Sequence, residues 1–459
     1  MYIEQTVIKN FKGIAEMSLE FAPGINLLIG NNGVGKTTVL EALSLSLQPY
    51  FSRMKGVTKK GITSREVRFE TERVSDASQF VTRFHPTYVK SHIDYDGNDY
   101  TCEVFREDET SATRTRYIGN EIAAVGKQNL NTKEAVLPLI CYFSTSRIAD
   151  TQRAQINSLG QNKLNDRVCG YMGCLDSSLD RKALTDWTFK MAMAEFKVYG
   201  AVAEYEAFKK AVGLFMQRMN DLDEMPVVEF SRIFEDLAYT EDGKTLPINY
   251  LSAGYQSLLW MLMEMAFRTA ILNPGLDDYS QVGGVVFIDE IDMHLHPKWQ
   301  WKVLDALHSS FPKIQFIVAT HSPIIISSSK EARLLSIGED GAALLHSAYA
   351  YSIDDVVSLR QGSLGIPQQL RKMTDAFEQA FYSRDEQAAQ NALDKMIQCY
   401  GEALNLCKCL CNALAHSASA NNAYLHSKYL QIMLLRGCRG GCSHPPAGRR
   451  GRRPLQDCS

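Results

Sequence analysis

The residues that could do chemistry begin with Gly30-Asn31-Asn32-Gly33-Val34-Gly35-Lys36-Thr37, a G-x-x-x-x-G-K-T run early in the chain. Glycines at this spacing let backbone N–H groups turn inward onto phosphate oxygens, while the lysine reaches the terminal phosphates and the threonine hydroxyl binds Mg²⁺. Three more groups follow in order: Ser252-Ala253-Gly254 ahead of a long apolar stretch, Asp289-Glu290 after Val285–Ile288, and His321 after Phe316–Thr320. Phosphoanhydride hydrolysis needs what this set offers. Lys36, Thr37 and Asp289 would clamp phosphate and Mg²⁺, Glu290 would orient the attacking water, and His321 would donate to the γ-phosphate. Singly, an acidic pair at a strand end is often only solvated and a lone histidine only a satisfied core residue. Their occurrence together behind a phosphate loop is what points to chemistry.

These groups need rigid elements beneath them. Ile25–Ile29 reads as a buried strand feeding the loop, and Thr38–Leu43 as the helix that presents its positive N-terminus to the same anion. Upstream, Met17, Leu19 and Phe21 alternate as a strand does, with a turn at Pro23-Gly24. Residues 67–118 carry short apolar and aromatic runs broken by Asp-Gly and Pro, which predicts antiparallel β structure. Leu137–Phe143 is a second buried strand, ending in Ser144-Thr145-Ser146-Arg147. Over residues 176–222 the spacing of Trp187, Met191, Ala203, Phe208, Val212, Phe215 and Met219 becomes helical, and residues 227–250 read as a hairpin-like return around Glu241-Asp242-Gly243-Lys244. Gln256–Leu272 is a helix without glycine or proline. Val285–Ile288 and Phe316–Thr320, apolar on both faces, read as central parallel strands whose carboxyl ends form a crevice for ligands. Beyond His321 a strand at 333–337, a polar hairpin and helices over 366–400 and 403–416 are expected.

With 459 residues, 45% hydrophobic and 22% charged, the composition is that of a globular protein with room for two or three domains, or for one large α/β core with a lobe attached. A net charge of −3 offers no global argument for nucleic acid. Neither a signal peptide nor a membrane span is legible, because the most apolar stretch, 257–267, is short and contains Glu264; a cytoplasmic location is the expectation. Of 11 cysteines, Cys102, Cys141, Cys169 and Cys174 precede residue 399 and should be reduced and partly buried. Residues 436–459 are rich in arginine and cysteine, lack apolar periodicity and are expected to be a disordered basic tail.

From Met1 to Gly338 the chain resembles the ABC-type ATPases of the RecF and SMC class. The resemblance rests on "IKNFKGI" at 8–14, the phosphate loop, "LSAGYQSLL" at 251–259 like their signature motif, "VVFIDEIDMHLHP" at 285–297 like Walker B, and "FIVATHSP" at 316–323 like the histidine switch. The wording of the last two is similar to the branch containing the OLD-family ATPases and the PtuA-like ATPases of Septu and retron-linked phage defence. This resemblance implies an α/β fold of the P-loop NTPase, ABC-ATPase type: a mixed sheet with an antiparallel β subdomain and an inserted helical lobe. It divides the chain into an N-terminal part of the ATPase head with the P-loop and antiparallel β region (1–150), a helical lobe and hairpin (151–250), the signature helix, Walker B and histidine switch completing the core (251–345), a C-terminal helical region (346–435) and the tail.

Carried onto this sequence, the resemblance implies ATP bound by Asn32, Gly33, Gly35, Lys36, Thr37 and Thr38, with Lys12 near the α-phosphate. Mg²⁺ would be held by Thr37 and Asp289, and catalysis would fall to Glu290 and His321. It implies that two protomers pair head to tail, Ser252 and Gly254 of one completing the site of the other, as a homodimer or higher even oligomer. Three departures are visible: Ala253 stands where the signature has glycine, His296 where SMC-like relatives have Asp, and no glutamine loop precedes the helical lobe, so that Arg147 is a candidate phosphate contact there. His294-x-His296, Cys407-x-Cys409-x-Cys411 and Cys438-x-x-x-Cys442 do not have convincing metal spacing. OLD proteins continue into a Toprim nuclease, whereas residues 339–459 here show no D-x-D pattern after a strand, and no HNH-type cluster is legible. The expected role is a motor or sensor subunit that controls a partner effector, a nuclease, against phage. A RecF-like DNA repair or maintenance ATPase, with DNA as a partner, and a slow-turnover ATP-dependent assembly scaffold are the alternatives.

Overall fold

The computed structural model of the chain describes residues 1–75, 78–108, 115–145, 166–176, 181–338 and 341–349, with scattered positions between 356 and 395. The chain forms two compact units, Met1–Ser363 and Leu364–Ser459.

In the first unit, β1 (Tyr2–Phe11) and β2 (Ile14–Glu20) pair antiparallel, and β2 buries Met17 and Leu19 as its alternation predicts. β3 (Ile25–Ile29) runs into the phosphate loop, and α1 (Lys36–Ser46) leaves it. A ribbon of β4 (Phe69–Ser75) and β5 (Ser78–Arg83) follows, and then β6 (Thr87–Tyr95), β7 (Asn98–Arg106) and β8 (Arg116–Ile118). The last three extend β1 and β2 into an antiparallel sheet of order β2-β1-β6-β7-β8, tied across β1 and β6 by the Thr6 and Ser91 hydroxyls at 2.7 Å.

Between the antiparallel region and the next expected strand, where the sequence pattern predicts no element, α2 (Asn120–Asn131) is a helix. It buries only Ile122, Ala123 and Gly126, too narrow an apolar stripe to announce a helical period. After it come β9 (Leu139–Phe143), and α3 (Arg181–Val198) with α4 (Ala203–Asn220), the helices that the change of period predicts. The expected hairpin is a three-stranded meander, β10 (Val227–Ser231), β11 (Asp236–Glu241) and β12 (Lys244–Pro247). Its second turn puts Asp242 and Gly243 at φ 49° and 73°, the two left-handed residues of a tight hairpin turn.

α5 (Ala253–Leu272) is buried at every position from Ser257 onward, which explains its lack of a polar face. Its one internal ion pair, Arg268 to Glu264 at 2.8 Å, is satisfied further by the Gly170 and Met172 carbonyls. The rest of the unit is β13 (Gly284–Ile288), α6 (Pro297–Gln300), α7 (Val303–Ser310), β14 (Ile314–Ala319), α8 (Pro323–Ser328), β15 (Arg333–Gly338) and β16 (Gly341–Leu345).

Six strands make the central sheet, in the order β16-β15-β3-β14-β13-β9; β15, β3, β14, β13 and β9 are parallel and β16 is an antiparallel edge. β3, β9, β13 and β14 are buried at every residue, as strands covered on both faces must be. Their carboxyl ends therefore lie along one edge, which is where the phosphate loop, Asp289-Glu290 and Thr320-His321 emerge.

The four described cysteines, Cys102, Cys141, Cys169 and Cys174, are buried and in no disulfide. No helix among the described residues is long and apolar enough to cross a membrane. In the second unit the described positions from 372 onward are mostly helical. The helix expected at 403–416, the cysteines after residue 399 and the tail at 436–459 lie outside the described residues.

Candidate active site

The loop after β3 owes its shape to glycine. Gly30 has φ 147°, and a Cβ there would stand 2.4 Å from the Ile337 carbonyl of β15; Gly33 and Gly35 are left-handed at φ 83° and 102°, with open space around Gly33. Asn31, Asn32 and Gly33 face solvent and Thr38 is half-buried in the first turn of α1. Lys36 is 5% exposed and its ammonium bridges the Gly30 and Asn31 carbonyls, both at 2.9 Å. Burial pulls its pKa down, and the carboxylates of Asp289, Glu290 and Asp292 oppose that shift.

Thr37 Oγ1 donates to Asp289 Oδ2 at 2.8 Å. Asp289 is 2% exposed, and its backbone N–H donates to the Phe143 carbonyl of β9 at 2.8 Å. Glu290 follows in the left-handed region, φ 45°, which turns the chain out of the strand direction. His321 Nδ1 lies 3.5 Å from Lys36 Nζ. An ammonium only donates, so Nδ1 is the accepting nitrogen and Nε2 carries the proton. Burial first, and the Lys36 charge second, hold this imidazole below its ordinary pKa, against the pull of Asp292 and Glu290.

Around these groups lies a supporting layer that motif reading missed. Thr320 Oγ1 donates to Asp292 Oδ1 at 2.6 Å and accepts from the Ser322 N–H at 3.0 Å; Ser322 Oγ donates to Gln300 Oε1 at 2.6 Å. The signal available was a threonine between an apolar strand and His321, fully buried in the fold. His296 is the N-cap of α6, its Nδ1 accepting from the Lys298 N–H at 3.2 Å ahead of Pro297, so one ring nitrogen is engaged by backbone.

The signature segment sits elsewhere. Ser252 and Ala253 are exposed at the start of α5, where Ser252 makes no side-chain cap, and Gly254 is pressed against the chain beyond Glu290: a Cβ would be 2.7 Å from the His294 carbonyl. Lys12, left-handed at φ 51° between β1 and β2, pairs with Glu41 of α1. Arg147 lies outside the described residues.

The arrangement fits a Mg²⁺-bound triphosphate: a glycine-lined concavity with open space at Gly33, a buried cation at its mouth, and a hydroxyl and a carboxylate of the right chemistry for Mg²⁺ 2.8 Å apart. Comparison with known proteins points the same way. The family model described as "AAA domain" matches residues 7–222, and that described as "AAA ATPase domain" matches residues 145–326. The "Retron Vc95 probable ATPase" of Vibrio cholerae serotype O1 biovar El Tor is 22% identical over 363 residues, covering 68% of this chain and 68% of the relative. Septu protein PtuA of Bacillus thuringiensis is 25% identical over 345 residues, covering 74% and 76%, and the OLD nuclease of Thermus scotoductus is 23% identical over 363 residues, covering 74% and 62%. The SMC head domain from Thermotoga maritima superposes with a TM-score of 0.42 at 14% identity, over 75% of this chain and 99% of that one.

Sequence motifs, sheet and family matches define the class: the chain is an ABC-type ATPase. Within that class it is related to the ATPases of retron and Septu defence systems.

Proposed function

We propose that the protein hydrolyses ATP with Mg²⁺ in a head-to-tail pair of chains, and that this pairing controls a partner effector, a nuclease, in defence against phage. The observation that carries the reading is the convergence of Lys36, Thr37, Asp289, Glu290 and His321 on one sheet edge while Ser252 and Gly254 open a different, exposed helix end. A 20-residue helix that begins at exposed Ser252 and Ala253 suits an anion, and the triphosphate of a second copy supplies one.

In this reading the loop N–H groups from Asn32 to Thr38 and the Lys36 ammonium hold the phosphates. Thr37 and Asp289 would hold Mg²⁺, which would supply positive charge to offset that of the phosphates. Glu290 orients the attacking water, and the Nε2–H of neutral His321 donates to the γ-phosphate. Lys12 would exchange Glu41 for the α-phosphate, and Arg147 remains a candidate phosphate contact where the glutamine is missing. The effector and the defence role are inferred from relatives whose names place them in retron and Septu systems.

The test is Glu290→Gln, which should bind ATP, hardly hydrolyse it, and double in mass on size exclusion with ATP and Mg²⁺, while Lys36→Ala does not respond to ATP. A Glu290→Gln protein with parental turnover removes the assigned role of Glu290. One feature favours the RecF-like alternative: Arg53, Lys55, Lys59, Lys60 and Arg65 are all exposed within a short segment, with Lys60 paired to Asp176, a local basic run in a chain of net charge −3. Duplex DNA binding that falls steeply with salt, and is lost when these five are neutralised, would support it.

A further inference from the structure

Asn220, the last residue of α4, joins four segments. Its Oδ1 accepts from Trp299 Nε1 at 3.0 Å, and its Nδ2 donates to Glu241 Oε2 at 2.9 Å and to Tyr255 Oη at 3.0 Å. An indole can only donate and a carboxylate can only accept, so the amide orientation is dictated from both sides. Tyr239 donates its hydroxyl to the same Glu241 oxygen, and the Tyr255 ring lies 4.5 Å from that of Trp299 and 5.9 Å from that of Tyr239. Burial and the Glu241 charge raise the pKa of both tyrosines, which keeps their hydroxyls protonated.

The position of this knot gives it leverage. Tyr255 is in the first turn of α5, next to Gly254 and its close approach to the His294 carbonyl. Trp299 is in α6, and the next residue, Gln300, accepts from Ser322 Oγ beside His321 at 2.6 Å. α6 is thus braced on one side to the signature turn and on the other to the end of β14. α4 brings the helical lobe into the same joint.

We propose that Asn220 is a positioning residue for hydrolysis: by locking Tyr255 and Trp299 together it fixes the first turn of α5, and with it Ser252 and Gly254, against the segment that leaves Asp289-Glu290. The inference rests on the two-copy reading above, in which that turn faces the partner's ATP. A displacement of the helical lobe would reach the ATP site through this junction, where the neighbouring Asp221 also pairs with Lys298 and Lys302, without altering the phosphate loop that loads nucleotide.

The experiment uses the full chain. Asn220→Leu should lower turnover at saturating ATP about tenfold, the loss expected when a charge-linked hydrogen-bond hub is broken. Its affinity for a fluorescent ADP analogue, which needs only one phosphate loop, should be unchanged. Asn220→Asp sets one carboxylate against Glu241 and should be as slow. Asn220→Asp combined with Glu241→Gln reverses donor and acceptor and should recover most of the turnover. A role confined to stability would lower the melting temperature and leave turnover of the folded protein intact.

Parental turnover in folded Asn220→Leu overturns the proposal; if that variant does not fold, a reversed pair that folds but stays slow overturns it. Ser252→Arg separates the two claims. If Ser252→Arg retains parental turnover, the two-copy reading falls and this proposal with it; if Ser252→Arg is inactive while Asn220→Leu is active, only the positioning role falls.

Discussion

Thr37→Val replaces a hydroxyl with a methyl of nearly the same shape, so its effect isolates one interaction. In the folded chain Thr37 Oγ1 donates to Asp289 Oδ2 at 2.8 Å, with Asp289 2% exposed. A hydrogen bond to a charged group contributes roughly 1.5–3 kcal/mol, and the solvent-open side of Thr37 places this one near the lower end, about 1.5 kcal/mol. A double-mutant cycle with Asp289→Ala, read by urea unfolding of the nucleotide-free protein, should return a coupling of that size. With ATP present both side chains are assigned to Mg²⁺, so each single substitution should lower turnover about a hundredfold, equivalent to ~2.7 kcal/mol of transition-state stabilisation, and raise the Mg²⁺ concentration required. Zero coupling together with an unaltered Mg²⁺ dependence would refute the assignment.

Gly254→Ala should lose about 2 kcal/mol of stability, because its Cβ would stand 2.7 Å from the His294 backbone carbonyl, which cannot rotate away; a parental urea midpoint would show that this contact is not tight. His321, held below its ordinary pKa by burial and Lys36, binds its proton later on acidification than the unfolded chain does. Its contribution to stability is therefore complete above the unfolded value near 6.5 and is lost as pH falls below it. His321→Gln should unfold with a shallower pH dependence between neutral and mildly acidic pH, and an unchanged slope would contradict the shift. Arg268→Met should cost about 3 kcal/mol by stranding Glu264 inside α5, and Glu264→Gln should cost less because its amide still accepts from Arg268; equal losses in a thermal melt would count against this.

The site was legible where its chemistry restricts residue type. A phosphate loop requires glycines with left-handed backbone and a following lysine, and strands buried on both faces must be apolar throughout, so β3, β9, β13 and β14 and the groups at their ends could be read directly. α2 could not be read: it covers Tyr50 through Gly126, where a Cβ would stand 2.7 Å from the ring, and that packing leaves almost no periodic signal. The polar supports were equally hidden, because partners of Asn220 lie 21, 35 and 79 positions away in the chain. No local spacing encodes such a junction. His296 shows the converse, since a residue resembling half of a metal pair proves to be a helix cap once its backbone partner is visible.

The central claim is that each ATP is enclosed by two chains, and mixing two inactive variants tests it most directly. Ser252→Arg keeps a sound phosphate loop and Lys36→Ala a sound signature turn. Mixed equally, they should recover about a quarter of parental turnover, since half of randomly paired dimers are mixed and each has one intact site. A mixture as inactive as its components would place the whole reaction within a single chain.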